Sequence, residues 1–229
     1  MSVFEEQIEL VRDDGVKVPA IRVSPDDDAA MRCNGAGVLV VAGEWGLPPE
    51  VHARVVMPLA EHGFFVVATD LMHGHRASSA SEASVRAQGI DPAGAIDDIS
   101  AGLLSLKELA SGKLGVIGLD RAATIALAAA TVLPQIDAIV HVGGEPPGPT
   151  VRMSRMRAAV LVTRTEQGAM TKAAYAELIE RMKRSKAPLS GHDYLASEGF
   201  FLRPRDEAER DQATIASDRI RDFLTFNLT

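Results

Sequence analysis

One pentapeptide of this chain has the residue types and the spacing of a catalytic turn. Gly118-Leu119-Asp120-Arg121-Ala122 lies between a short apolar run and an alanine-rich segment, with small residues two positions to either side of Asp120. A strand that turns directly into a helix needs such neighbours, because larger side chains would collide at the turn. The helix N-terminus behind the turn suits an anion, so Asp120 is a candidate nucleophile or acid/base group. The plainer interpretation is that Asp120 only caps the helix.

Other polar side chains follow the remaining apolar runs. They are Glu44 and Trp45 after residues 37–41, His73 and His75 after 64–69, Glu166 after 158–162, and Glu198 and Arg203 after 189–196. Carboxylates that lie close together raise one another's pKa, and burial raises it further. A carboxylic acid beside a carboxylate can then exchange protons with a substrate near neutral pH.

Short apolar runs alternate with longer amphipathic segments along the chain, which predicts strands that alternate with helices. We expect strands at residues 4–10, 16–23, 37–41, 64–69, 114–117, 136–142, 158–162 and 189–196. We expect helices at residues 48–62, 95–110, 121–131, 171–185 and 207–224, and loops at 25–35 and 70–94. The alternation predicts an α/β fold, with a mainly parallel central sheet and helices on both faces. The first two strands, joined by Asp13-Asp14-Gly15, are expected to form an antiparallel edge.

In sheets of this kind, ligands bind beyond the carboxyl ends of the strands. The polar residues that follow the strands are therefore expected to meet at one edge of the sheet, in a pocket for a small-molecule substrate or ligand.

The composition excludes several classes of protein. The 229 residues carry a formal net charge of −7, which argues against nucleic-acid binding by phosphate neutralisation. No apolar run approaches the roughly 20 residues of a membrane span, and the N-terminus lacks the basic start of a signal peptide. A single cysteine, Cys33, excludes a disulfide framework within the chain and a multi-cysteine zinc site. We therefore expect one cytoplasmic domain of residues 1–229, monomeric or homodimeric, without a cofactor.

Several segments resemble the dienelactone hydrolase family of the α/β-hydrolase superfamily. Residues 37–46 (GVLVVAGEWG) are similar to a strand of that family which ends in a Glu-Trp motif, and residues 59–71 (LAEHGFFVVATDL) to the segment that follows. The pentapeptide around Asp120 takes the place of the family's nucleophile elbow, and residues 197–200 that of its His-Gly-Phe motif. The resemblance runs from about residue 37 to the C-terminus. It implies the α/β-hydrolase fold and a hydrolase that acts on a small organic molecule, such as an ester or lactone.

The family's catalytic triad of Cys or Ser, Asp and His is not kept. Asp120 stands at the nucleophile position, Glu166 or Gln167 at the acid position and Glu198 at the histidine position. Cys33 lies far upstream, so it cannot supply the missing thiol. The resemblance therefore implies a non-standard triad.

The resemblance also implies roles for four residues near the expected pocket. It places Glu44 in the active site and makes the backbone amides of Trp45 and Arg121 the candidate oxyanion donors. It places Arg203 one residue away from a substrate-binding arginine of the family.

Three functions remain open. In the first, Asp120 attacks the substrate and forms an ester-like intermediate, which water activated by Glu198 or by a histidine at 73–75 then hydrolyses. In the second, Glu44, Asp120 and Glu198 carry out acid/base chemistry as an isomerase, lyase or cyclase. The same carboxylates could bind a divalent cation, but no ligand spacing supports a metal site. In the third, the protein is a catalytically inactive homologue that binds a ligand.

Several of these residues also have plainer interpretations. Arg121 would form an inert ion pair with Asp120, Trp45 would pack in the pocket wall, and Arg203, His73 and His75 would be ordinary surface residues. His141 lies inside a predicted strand, so we expect a buried core histidine.

Overall fold

The centre of the molecule is an eight-stranded sheet in the order β1-β2-β4-β3-β5-β6-β7-β8, seen in a computed structural model that describes residues 2–166 and 168–229. The strands are β1 (Phe4–Val11), β2 (Lys17–Ser24), β3 (Gly37–Ala42), β4 (Phe65–Asp70), β5 (Leu114–Leu119), β6 (Ala138–Val142), β7 (Ala159–Thr165) and β8 (Leu189–Tyr194). The strands from β4 to β8 along the sheet pair in parallel. β1 pairs with β2, and β2 with β4, in the antiparallel direction.

Helices cover both faces of this sheet. They are α1 (Asp27–Arg32), α2 (Pro49–Val51), α3 (Met57–His62), α4 (Ala80–Gly89), α5 (Pro92–Lys107), α6 (Arg121–Ala129), α7 (Lys172–Met182) and α8 (Glu207–Leu228). A π-helical turn, His52–Val56, joins α2 to α3, and a 3₁₀ turn spans Met153–Arg155. None of the described helices is both long and apolar enough to cross a membrane.

The central strands are apolar throughout because both of their faces are buried. In β3, Leu39 and Val41 belong to the core under α5 and α6. Val38 and Val40 belong to the core on the other face, under α3 and α8. A strand covered on both sides has no solvent-facing positions, so its sequence shows a continuous apolar run without alternation. The predicted α/β architecture is thus confirmed.

Two helices lie where the sequence predicts loops. α1 falls within residues 25–35, and α4 within residues 70–94. Each buries a single residue, Ala29 in α1 and Ala83 in α4, so neither shows the apolar periodicity that identifies a helix. The start of the next helix was also misplaced. α5 begins at Pro92, after the N-cap Asp91, three residues before the expected start.

The connection between β5 and α6 is as short as the fold permits. β5 ends at Leu119 and α6 begins at Arg121, with Asp120 between them. The helix packs directly on the strand, since a Cβ added to Gly118 would lie 2.5 Å from the Cα atom of Ala123. A Cβ on Gly43, at the end of β3, would lie 3.0 Å from the backbone nitrogen of Arg121. The glycines of the neighbouring strands therefore let α6 approach the sheet closely.

We expect Gly118→Ala to lower the free energy of unfolding by at least about 2 kcal/mol, because the added methyl group would collide with backbone atoms that cannot move aside. Urea denaturation measures this change. The control is Gly89→Ala at the end of α4, where an added Cβ meets no atom within 4 Å. It should leave stability unchanged or raise it by up to about 1 kcal/mol. Equal effects of the two substitutions would contradict the close packing of α6 on β5.

Candidate active site

Asp120 adopts a backbone conformation that non-glycine residues rarely accept, with φ 54° and ψ −126°. Its N–H donates to the carbonyl oxygen of Val142 (2.8 Å), and its own carbonyl accepts from the N–H of Ala123 (3.0 Å). Gly144 packs so closely that an added Cβ would lie 2.3 Å from the Asp120 carbonyl oxygen. These contacts hold the turn in place against a strain of about 1–3 kcal/mol.

The side chain of Asp120 is not used as a helix cap. In the described structure, no backbone amide of α6 donates to its carboxyl group. The plainer interpretation of Asp120 is therefore wrong. The carboxyl group instead lies at a pocket of about 540 Å³ beyond the carboxyl ends of β3 and β5.

This pocket brings together six of the residues singled out in the sequence. They are Glu44, Trp45, Asp120, Arg121, Glu198 and Arg203. The strand ends of β3 and β5 supply the first four, and the segment between β8 and α8 supplies the last two. The carboxyl ends of parallel strands thus gather side chains that lie far apart in the chain.

The carboxylate of Glu44 occupies the N-terminus of α6. Its Oε2 atom accepts a hydrogen bond of 3.1 Å from the backbone N–H of Arg121. This interaction satisfies one of the free amides of the helix and favours the negative charge there. It also means that the Arg121 amide, a candidate oxyanion donor, is already bonded.

Asp120 has a pKa that is raised to about 7. The largest cause is burial, which removes water from the carboxylate, followed by the negative charges of Glu44 and Glu198. The positive charge of Arg203 lowers the pKa but does not outweigh these effects. Asp120 therefore titrates near neutral pH and can both donate and accept a proton there.

The two arginines at the pocket differ in their surroundings. The guanidinium of Arg203 lies over the ring of Trp45, 5.2 Å from its centroid, and its Nε atom is 3.8 Å from a carboxylate oxygen of Glu50. The Nε atom of Arg121 is buried and has no hydrogen-bond partner among the described residues. The cation that acts on Asp120 is thus Arg203 and not its sequence neighbour Arg121.

Three other predicted site residues lie elsewhere. Of the residues that the structure describes, His73, His75 and Glu166 do not line the pocket. His73 turns away from it, with its Nε2 atom 2.8 Å from the buried carboxylate of Asp98 on α5. His75 and Glu166 are exposed, and Gln167 lies outside the described residues. The structure does not bring these three side chains to the pocket, because a position after a strand does not determine where a side chain points.

The pocket has a wall that the sequence did not predict. Ala80, Ala83, Ser84 and Ala87 of α4 line it. A signal for this helix was present, since Ser79 and Glu82 have the spacing of a capping box, and the Ser79 side chain accepts from the Glu82 N–H. Glu145 also lines the pocket and adds a further carboxylate.

The buried histidine His141 supports the turn next to Asp120. Its Nε2 atom lies 3.3 Å from the carbonyl oxygen of Glu145, which also accepts from the Thr124 hydroxyl (2.7 Å). Burial lowers the pKa of His141 to about 4, so it is neutral at pH 7. It is a core residue and lies outside the pocket lining.

No set of three or more His, Cys, Asp or Glu side chains among the described residues is arranged to hold a metal ion. No histidine in the described structure lines the pocket either. The polar groups of the described lining are carboxyl groups, two guanidinium groups, the Ser84 hydroxyl group, the Trp45 indole N–H and the backbone.

Comparison with known proteins identifies the family. The model of the dienelactone hydrolase family matches residues 20–226. The chain belongs to the dienelactone hydrolase family. The family's fold, the α/β-hydrolase fold, is the one described above. No curated protein matches the chain.

Solved structures of similar fold include several hydrolases. A candidate dienelactone hydrolase of Klebsiella pneumoniae superposes with a TM-score of 0.84 at 15% identity, over 98% of this chain and 99% of that one. A dienelactone hydrolase-like promiscuous phosphotriesterase from metagenomic libraries gives 0.81 at 17% identity, over the whole of both chains. An esterase of Pyrococcus furiosus gives 0.71 at 15% identity, over 99% of this chain and 94% of that one. At such low identities these likenesses show the fold alone.

Replacing Asp120 with Asn should stabilise the protein at high pH. Folding raises the pKa of Asp120 from 3.8 to about 7, so the folded state binds this proton more tightly than the unfolded state. The contribution of Asp120 to stability is complete below pH 4 and is lost as the pH rises through 7. Because Asn carries no charge, Asp120→Asn should gain on the order of 4 kcal/mol over the wild type above pH 7, and the gain should vanish towards pH 4.

Urea denaturation at several pH values measures this difference, and the opposite pH dependence of His141 cancels because both proteins contain it. Asp211→Asn, on the exposed side of α8, is the control and should show no pH-dependent gain. A gain for Asp120→Asn that does not change with pH would contradict the raised pKa.

Proposed function

We propose that this protein hydrolyses a small ester or lactone with Asp120 and Glu198 as an acid/base pair and without a covalent intermediate. The observation that carries the proposal is the placement of the Asp120 carboxyl group in the pocket with Glu44 and Glu198, since burial and these two charges raise its pKa to about 7. A protonated carboxyl group is a poor nucleophile, but it is a good proton donor to a carbonyl oxygen.

In the first step, the carboxylate of Glu198 takes a proton from water while the water oxygen bonds to the substrate carbonyl carbon. The carboxyl group of Asp120 gives its proton to the carbonyl oxygen, so the tetrahedral intermediate is neutral. In the second step, Asp120 takes a proton back from a hydroxyl group of the intermediate. Glu198 gives its proton to the leaving oxygen, the C–O bond breaks, and both groups return to their starting states.

The position of Glu44 supports acid catalysis by Asp120. An oxyanion at the α6 N-terminus would need the Arg121 amide, which already donates to the Glu44 carboxylate. A negatively charged intermediate next to Glu44 would also be repelled. Proton transfer from Asp120 avoids this charge, since the intermediate is then uncharged.

Space for the attacking water lies beside both carboxyl groups. A crevice of about 40 Å³ is lined by Asp120, Glu198 and the buried Thr163, among others. One water needs about 10–15 Å³ of such space and two or more polar partners. The crevice therefore offers a place from which water can reach a carbonyl group held in the main pocket.

A covalent mechanism is the second candidate, and the backbone of Asp120 favours it. The sharp strand-to-helix turn with φ 54° at Asp120 has the form of a nucleophile elbow, in which the strained residue exposes its side chain for attack on a substrate. In this mechanism the Asp120 carboxylate attacks the substrate, so it must be ionised. The two mechanisms thus require opposite protonation states of the same residue.

We expect the hydrolysis of p-nitrophenyl acetate or dihydrocoumarin to be fast below pH 7 and to slow about tenfold for each pH unit above it, because Asp120 must be protonated. A rate that instead rises through pH 7 would support the nucleophile. The measurement is the pH profile of kcat/KM, corrected for spontaneous hydrolysis. Glu198→Gln should lower kcat by about 10²–10⁴-fold, whereas Glu166→Gln, which lies outside the pocket, should retain activity.

Isotope labelling tests the covalent alternative directly. Trypsin cleaves after Lys113 and Arg121 and releases the peptide LGVIGLDR, whose only side-chain carboxyl group is that of Asp120. We expect this peptide to stay unlabelled when the enzyme turns over substrate in H₂¹⁸O and is then digested in ordinary water. Incorporation of ¹⁸O, read by mass spectrometry, would show water attacking the Asp120 carboxyl carbon of a covalent intermediate, which is a mixed anhydride when the substrate is an ester or lactone. It would overturn the acid/base mechanism.

An inactive homologue gives a third outcome. No turnover of esters or lactones, together with a rise in melting temperature on adding one of them, would indicate ligand binding without chemistry. We also propose that residues 1–229 act as one domain in the cytoplasm, as a monomer or homodimer. The single sheet and the free, buried thiol of Cys33 support the first two of these statements.

A further inference from the structure

The segment between β8 and α8 carries four residues of the pocket lining. Glu198, Gly199, Leu202 and Arg203 all lie on it. Such a connection has no strand partners to fix it, so other contacts must set the position of these side chains. One of these contacts comes from the first turn of α8.

Glu209 ties both ends of this segment to α8. Its Oε1 atom accepts from the backbone N–H of Ser197, and its Oε2 atom accepts from that of Arg205, both at 2.8 Å. The side chain of Arg205 adds a bond of 3.0 Å to Oε1. Residues 198–204 are thus enclosed between two backbone hydrogen bonds to a single carboxylate.

The chemistry of this contact requires a carboxylate. Glu209 is only 5% exposed, and its hydrogen bonds from Arg205 and Ser197 hold its pKa well below the usual range, so it stays ionised. A carboxylate can accept at both oxygens at once, whereas a glutamine has one acceptor and one donor group. Glutamine at this position would keep one of the two backbone hydrogen bonds. Its NH₂ group would face the other backbone N–H, and two donors cannot form a hydrogen bond with each other.

We propose that Glu209 is a positioning residue that holds Glu198 and Arg203 at the pocket beside Asp120. Glu209 is not in the pocket lining, so it acts on the pocket only by holding residues 198–204 in place. α8 itself is held separately, because Ala213, Ala216 and Ile220 pack in the core. This role rests on the function proposed above only for the kinetic measurement, because the protonation state of Asp120 can be followed by NMR without any turnover of substrate.

The titration of Asp120 gives a direct test. In protein labelled with ¹³C at aspartate carboxyl groups, NMR follows each titration, and Asp120→Asn assigns the signal. Glu198 raises the pKa of Asp120 by more than Arg203 lowers it. Releasing both residues in Glu209→Gln should therefore lower the midpoint, by up to about one pH unit, and Glu198→Gln, which removes only the charge that raises the pKa, should lower it further. Glu207→Gln, an exposed residue of the same helical turn, should keep the wild-type midpoint.

Kinetics provide a second measurement. Glu209→Gln should lower kcat/KM on the order of 10- to 100-fold at a pH where Asp120 is protonated in both proteins, because misplacement of a reacting group by about 1 Å costs that much. A variant that melts at a lower temperature but keeps the wild-type midpoint and kcat/KM would show a merely structural role and overturn the proposal.

The positioning role of Glu209 and the proposed hydrolase function can fail independently. A lowered midpoint in Glu209→Gln with no turnover by the wild type would support the positioning role and contradict the proposed function. If Glu209→Gln does not fold, Glu209→Asp replaces it, because it keeps the charge but has one methylene group fewer and cannot reach both amides. A downward shift is then expected, and an unchanged midpoint would contradict the proposal.

Discussion

The structure around the pocket depends on one constraint, the direct turn from β5 into α6 at Asp120. The turn imposes a positive φ on a residue with a Cβ atom, at a cost of about 1–3 kcal/mol. It is tolerated because Gly118 and Gly43 let α6 lie against the sheet and because Val142 binds the Asp120 amide. The carboxyl group is half-buried at the base of the pocket, and burial is the largest cause of its raised pKa.

Glu44 and Glu198 give this turn its distinctive electrostatics. Both are negative, and both favour the protonated form of Asp120. Glu44 accepts a hydrogen bond from the amide of Arg121 at the N-terminus of α6. The pocket thus combines one carboxyl group that titrates near neutral pH with carboxylates that hold it there. Two unlike acidic groups side by side are the arrangement that acid/base chemistry requires.

The remaining parts of the pocket are held from a distance. α8 fixes the segment that bears Glu198 and Arg203 through the Glu209 carboxylate. His141 and Thr124 hold the turn that bears Glu145 by binding its carbonyl oxygen. Each contact uses a buried or half-buried polar group that lies outside the pocket lining. The strands fix the position of Asp120, and the hydrogen bonds of Glu209, His141 and Thr124 fix the positions of its neighbours in the pocket.

The sequence by itself determined the fold class and the location of Asp120. Continuous apolar runs such as residues 37–41 identify strands buried on both faces, and Gly118 with Ala122 identifies a turn that only small neighbours permit. These features depend on local sterics and on burial, so they appear in the order of residues. α4 was missed because a helix that buries only Ala83 has no apolar periodicity. Tertiary structure alone decided that Glu44 binds the Arg121 amide, that His73 pairs with Asp98, and that Arg203 rather than Arg121 acts on Asp120. Such outcomes depend on side-chain direction and on contacts between distant segments, which the spacing of residues along the chain does not contain.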